Sequence, residues 1–190
     1  AVEAGYAYEV IKNFSVSATF KYLFSDMGRI GNSRGASSVA FDLGVLYKCE
    51  INDWEGAGWS VGLHVSNLGP KINYLTSKDA LPATVKVGGA ADLPFLQMHK
   101  LTLTADLGYR LSPADVQALS VSAGAEYAWR ELVMLRGGYH CGDKKKGDAS
   151  YATAGAGVEY AGVRLDFAWL FAGHEYLARN TFWVSLGYSF

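Results

Sequence analysis

Along the final stretch Thr181-Phe182-Trp183-Val184-Ser185-Leu186-Gly187-Tyr188-Ser189-Phe190, every second residue from Phe182 onward is bulky and apolar, and the residues between are mostly small or polar. Hydrophobicity with a period of two belongs to a strand whose two faces meet different surroundings. When one of those surroundings is hydrocarbon, the strand cannot stand alone. Its open edges would leave backbone donors and acceptors unpaired at several kcal/mol each, so other strands must pair with it until the sheet closes.

The rest of the chain repeats the pattern. Between turn signals the alternation predicts about eleven strands of roughly 8 to 12 residues, the length of a tilted membrane strand. Their apolar faces begin with Ala4 to Val10, Val16 to Phe24, Val39 to Tyr47 and Trp59 to Val65, and continue with Val85 to Leu93, Leu101 to Tyr109 and Val121 to Trp129. Val133 to Tyr139, Ala152 to Tyr160, Val163 to Phe171 and the terminal strand complete the set. Charges such as Lys21, Asp42, Asp92, Glu126, Arg136 and Asp166 fall only on the alternate positions. A charge facing lipid near mid-membrane costs about 2 to 4 kcal/mol, which explains the segregation. A soluble sandwich alternates too, but does not call for aromatics at strand ends such as Tyr47, Tyr109, Trp129, Tyr160 and Tyr188. The predicted fold is an all-β, transmembrane, antiparallel up-and-down β-barrel, with residues 1–190 forming a single outer-membrane barrel domain.

Composition removes the competing classes. No run approaches the roughly 18 apolar residues of a membrane helix, and no signal peptide opens the chain. A net charge of -1 leaves no footprint for nucleic acid. If Phe190 marks a periplasmic C-terminus, the turns at Ala161-Gly162 and Arg130-Glu131 are periplasmic. The longer loops 26–37, 67–82, 111–117 and 141–150 are then extracellular. Cys49 and Cys141 fall at opposite rims and do not pair, since bridged α-carbons lie within about 7 Å.

An odd strand count departs from the even numbers of single-chain bacterial barrels. Either one strand has been split or missed, or the N-terminal strands of a larger barrel lie outside this sequence; the mid-pattern start at Ala1-Val2-Glu3 favours the second. The string Val65-Ser66-Asn67-Leu68-Gly69-Pro70-Lys71-Ile72-Asn73-Tyr74, followed by Ala80-Leu81-Pro82-Ala83-Thr84-Val85-Lys86-Val87-Gly88, is more specific. It resembles the PorV/PorQ branch of the FadL-like outer-membrane barrels of Bacteroidetes and related Gram-negative bacteria. That resemblance implies a barrel of about fourteen strands, of which this is the C-terminal portion. It also implies a place in type IX protein secretion, as a carrier or adaptor that docks translocon and cargo through extracellular loops. FadL-like relatives instead move hydrophobic small molecules, and a scaffold barrel within an outer-membrane complex is a third possibility.

The candidate sites follow from this frame. Asn67, Gly69, Pro70, Ile72, Tyr74 and Leu75 form a candidate partner-binding loop, with apolar residues that either meet a protein or fold back over the barrel mouth. Lys144, Lys145 and Lys146 are either a solvated tip or a contact for lipopolysaccharide phosphate or another anionic partner. Asp106, Arg110, Glu126, Arg136, Arg164 and Asp166 are candidates for a lumen charge network, mixed in sign and so better suited to cross-strand pairing than to an ion-selective ring. Tyr188 and Phe190 resemble the C-terminal insertion signal of such barrels. No catalytic constellation, cofactor or metal site is predicted, and His64 reads more readily as a hydrogen-bonded interior residue than as a ligand. The expected partners are outer-membrane lipid and lipopolysaccharide and a larger secretion or outer-membrane complex.

Overall fold

In the computed structural model, residues 1–25, 35–73, 78–173 and 180–189 are described. Tyr74, Leu75, His174 and Phe190 lie outside them. The strands are β1 (Val2–Ile11), β2 (Phe14–Ser25), β3 (Ala36–Glu50), β4 (Gly58–Leu68), β5 (Ile72–Asn73), β6 (Lys78–Asp79) and β7 (Thr84–Phe95). They continue as β8 (His99–Arg110), β9 (Leu119–Trp129), β10 (Val133–Cys141), β11 (Tyr151–Tyr160), β12 (Val163–Ala172) and β13 (Thr181–Tyr188). Eleven of them make one antiparallel sheet in the order β1-β2-β3-β4-β7-β8-β9-β10-β11-β12-β13, while β5 and β6 pair separately. Each predicted strand has its counterpart. The small β5–β6 ribbon, Ile72 opposite Asp79 and Asn73 opposite Lys78, is an addition that no alternation announced.

The chain groups into two units. One contains Ala1–Tyr47, Val61–Val87 and Gly108–Leu119, and the other Lys48–Ser60, Gly88–Leu107 and Ser120–Phe190. Among the described residues, the buried apolar ones of the first are Ala36, Ala40, Leu81, Ala83 and Ala118. In the second they are Ala57, Ala128, Met134 and Leu170. Such cores are too small to drive folding by burial in water, where a domain of this size hides its large side chains. The large apolar residues lie elsewhere: Phe24, Tyr139, Leu135, Phe167 and Leu186 are all exposed, from 40% to 75%. A continuous apolar wall of this kind is stable only against a nonaqueous neighbour.

Register keeps that wall uniform. Phe20 pairs with Phe41, Ala18 with Leu43, Phe167 with Val184 and Trp169 with Phe182, each apolar residue opposite another. The rings of Phe20 and Phe41 are 5.4 Å apart, and Trp169 and Phe171 stack at 6.0 Å. A one-residue slip would turn a whole row of such side chains to the other face. Short turns connect alternate pairs. Tyr160 pairs with Val163 across Ala161 and Gly162, both at positive φ, as in the two-residue type I′ hairpin whose twist suits antiparallel strands. Arg130 and Glu131 also have positive φ, and Leu132 N donates to Trp129 O at 2.9 Å.

Candidate functional site

The segment after β4 is folded inward by the residues that make its sequence specific. Asn67 adopts the left-handed conformation, φ 57°, its backbone N–H donates to the Asp42 carboxylate at 2.8 Å, and its side-chain amide donates to Pro82 O at 3.2 Å. Asn tolerates that conformation better than other residues with side chains. Ser38 Oγ donates to Pro70 O at 3.1 Å. Gly69 lies so close to β3 that an added Cβ would be 3.2 Å from Ala40 Cα and 3.0 Å from Leu81 Cδ1, and would clash with Val39 O. Ser38, Ala40, Asp42 and Leu81 are buried as a result. Asp42 is also ion-paired to Lys21 Nζ at 2.6 Å, with both side chains largely shielded. Asn67, Gly69 and Pro70 therefore hold the segment against β3, while Ile72 in β5 is half-buried. Gly69→Val is expected to destabilise the fold by about 1 to 3 kcal/mol through overpacking against backbone that cannot rotate away; the urea midpoint of the refolded protein measures it.

On β9, β10 and β12, four of the six predicted network residues meet. Arg136 pairs with Glu126 on the neighbouring strand and, through its other guanidinium nitrogen, with Asp166 at 2.5 Å. Arg164 bonds Asp166 at 2.7 Å and approaches Glu159 at 3.7 Å, which brings in a residue outside the prediction. Gly157, between Arg136 and Asp166, leaves the room they use: a Cβ there would lie 3.2 Å from the Arg136 guanidinium. Alternating signs let each carboxylate meet a donor, so the array cancels its own field instead of forming a ring of one sign. Asp106 enters no ion pair among the described residues. Arg110 lies outside the array, at the end of β8, where its backbone N–H donates to Ala118 O at 2.9 Å.

The β10–β11 connection contains the lysine run as a 3-10 turn, Lys144–Lys146. The Asp143 carboxylate accepts from Lys145 N–H at 2.9 Å, and Gly147 closes the turn in the left-handed conformation. Behind it is a hydrogen-bonded chain that sequence reasoning missed. Asp148 meets His140 Nε2 at 3.0 Å, and Ser122 Oγ meets His140 Nδ1 at 3.0 Å. The imidazole stacks on Tyr151, with centroids 4.8 Å apart. No local motif joins a residue of β9, one of β10 and one of a loop. The signal available was that Ser122 and His140 occupy cross-strand positions on the polar face. Cys141 is the last residue of β10, not part of the loop as predicted, because pairing with Val121 extends the strand; both cysteines are free.

The other described histidines, His64 and His99, stand apart from this hydrogen-bonded chain. His64 lies beside Gly44, and His99 Nδ1 is hydrogen-bonded to the Tyr127 hydroxyl at 2.6 Å within a cluster that includes Phe95. No group of three metal-ligating side chains converges among the described residues. Cavities among the described residues of the second unit include two beside its turns. The larger, about 690 Å³, is lined by charged groups including Lys48, Glu50, Glu55, Asp92 and Lys100. Tyr188, which ends β13, is exposed.

Long antiparallel strands, apolar and exposed on one face and carrying paired charges on the other, are the construction of an outer-membrane β-barrel protein. The family model of the type IX secretion system protein PorV matches residues 1–117, more than half of the sequence. The chain belongs to that family, and is thus a component of type IX secretion. No curated protein matches it.

Proposed function

We propose that this chain acts in the outer membrane as a non-enzymatic carrier or adaptor of type IX secretion. Its strand wall sits in lipid, its C-terminus is periplasmic, and its long loops face outward to meet translocon and cargo. Family membership is the observation that carries this reading. The exposed apolar wall supports the bilayer setting. The docking region we assign runs from Asn67 to Pro82: its root is fixed by Asp42 and Ser38, so a partner meets an ordered base. Tyr74 and Leu75 are proposed as contact residues of that loop, and Tyr188 with Phe190 as the insertion signal. The array centred on Arg136 braces the interior of the wall. A route for hydrophobic compounds in the manner of FadL calls for an apolar cavity.

The test is co-purification. A tagged full-length protein, extracted from outer membranes, is expected to bring down the type IX translocon or cargo bearing its secretion domain. Removing residues 72–79 should reduce that capture about tenfold, the equivalent of about 1.4 kcal/mol. Recovery of no secretion component by the parent protein would falsify the proposal. Undiminished capture by the shortened protein would move the docking region elsewhere.

A further inference from the structure

The lysine turn between β10 and β11 is held by both of its neighbouring carboxylates, Asp143 at the exposed turn itself and Asp148 half-buried behind it. Asp143 accepts from the Lys145 N–H, and its carbonyl accepts from Lys146 N at 2.9 Å and Asp148 N at 3.1 Å. Asp148 is held by His140, which is itself held by Ser122. Gly142 permits the closure, since a Cβ there would lie 2.5 Å from the Asp148 carboxyl carbon. Ser150 Oγ accepts from Gly142 N at 3.2 Å and ties the two ends of the loop together. With its acids engaged, the loop presents Lys144 and Lys145 outward. Both are exposed, and neither ammonium enters an ion pair among the described residues. The adjoining strands carry exposed Tyr139 on β10 and Phe171 on β12, so the cations sit just beyond an apolar wall. That is the level at which lipid headgroups begin, and cations placed there gain from anionic headgroups.

We infer that the Lys144–Lys146 turn is a phosphate-binding tip whose occupant is the phosphorylated headgroup of an outer-leaflet glycolipid. Lys144 and Lys145 make the contact. Ser122, His140 and Asp148 are positioning residues that keep the turn folded and the Asp148 carboxylate drawn back from the lysines. The pre-formed turn spares the lipid the cost of ordering a loose loop. This inference rests on the proposed orientation, in which the long loops face outward.

The experiment uses the full-length protein in detergent and measures its binding to immobilised phosphorylated lipid A glycolipid and to the same glycolipid with its phosphates removed. The parent is expected to prefer the phosphorylated form. The double variant Lys144→Gln/Lys145→Gln should bind it about tenfold more weakly, as expected for two lysines near an anionic surface. His140→Ala, which leaves both lysines in place, should bind about threefold more weakly and become more sensitive to trypsin at the turn; His140→Gln, which retains a donor for Asp148, should restore both. Equal binding of the two glycolipids by the parent, or unchanged binding by the double variant, overturns the site. Trypsin sensitivity indifferent to His140→Ala overturns the positioning chain. Folding of each variant is verified by heat-dependent gel mobility. Orientation is read separately, by labelling Lys144→Cys on intact cells with a membrane-impermeant maleimide. Labelling without glycolipid preference removes this inference alone, whereas labelling only after lysis removes the orientation.

Discussion

Asp42→Ala is expected to be among the most damaging single substitutions in the chain, at about 3 to 5 kcal/mol, because it leaves the shielded Lys21 ammonium without its partner. It also orphans the Asn67 N–H that now donates to the Asp42 carboxylate. The prediction distinguishes two sources of the loss. In the double variant Lys21→Met/Asp42→Leu both charges are gone, and replacing a buried pair by apolar groups is often neutral. Most of the stability should return, short of the roughly 1 to 3 kcal/mol assigned to one unsatisfied backbone donor. Urea unfolding of the single and double variants in lipid vesicles gives both numbers. A double variant as unstable as Asp42→Ala would show that the ion pair is not the cause.

Phe167→Arg is expected to cost about 2 to 4 kcal/mol in a bilayer, the penalty for a guanidinium on the lipid face near mid-membrane. Phe167 sits in the middle of β12, is 40% exposed, and contacts Phe182 at a centroid distance of 6.2 Å. Ala168→Arg, one residue along and on the opposite face, should cost much less, since the polar face already accommodates Arg136 and Arg164. Equal costs would contradict the assignment of the two faces. The comparison needs vesicles: detergent adapts around a charge more readily than a bilayer does, and would compress the difference.

The strands were legible because their signal is repeated. Each alternation from Val16-Ala18-Phe20 to Phe182-Val184-Leu186 is weak alone, but every outward position must satisfy the same solvent, so the pattern recurs at each crossing. Charge placement was legible for the same reason, and Glu126, Arg136, Arg164 and Asp166 meet because antiparallel neighbours bring alternate positions together. What depends on a single contact was not legible. Ile72 to Asp79 gives no periodicity, so the β5–β6 ribbon went unseen. Glu159 resembled any other inward charge, and only its proximity to Arg164 distinguishes it. His140 takes its meaning from Ser122 and Asp148, which lie eighteen and eight residues away on different elements. For the Asn67 to Pro82 string the sequence showed that the residues were particular but not what they do. Their roles come from Val39 and Asp42 on a strand far earlier in the chain.

The link from Lys21 through Asp42 to Asn67 also sets an order of events during assembly. Its members come from β2, β3 and the end of β4, so it closes only after all three strands have been placed in their correct alignment. A wall assembled one residue out of step would carry Asp42 toward lipid and leave Asn67 with no acceptor. The segment beyond would then hang loose at the rim, open to proteases. Tucking of Gly69 and Pro70 against β3 thus marks a correctly built barrel, and an incorrectly built one exposes its own point of cleavage.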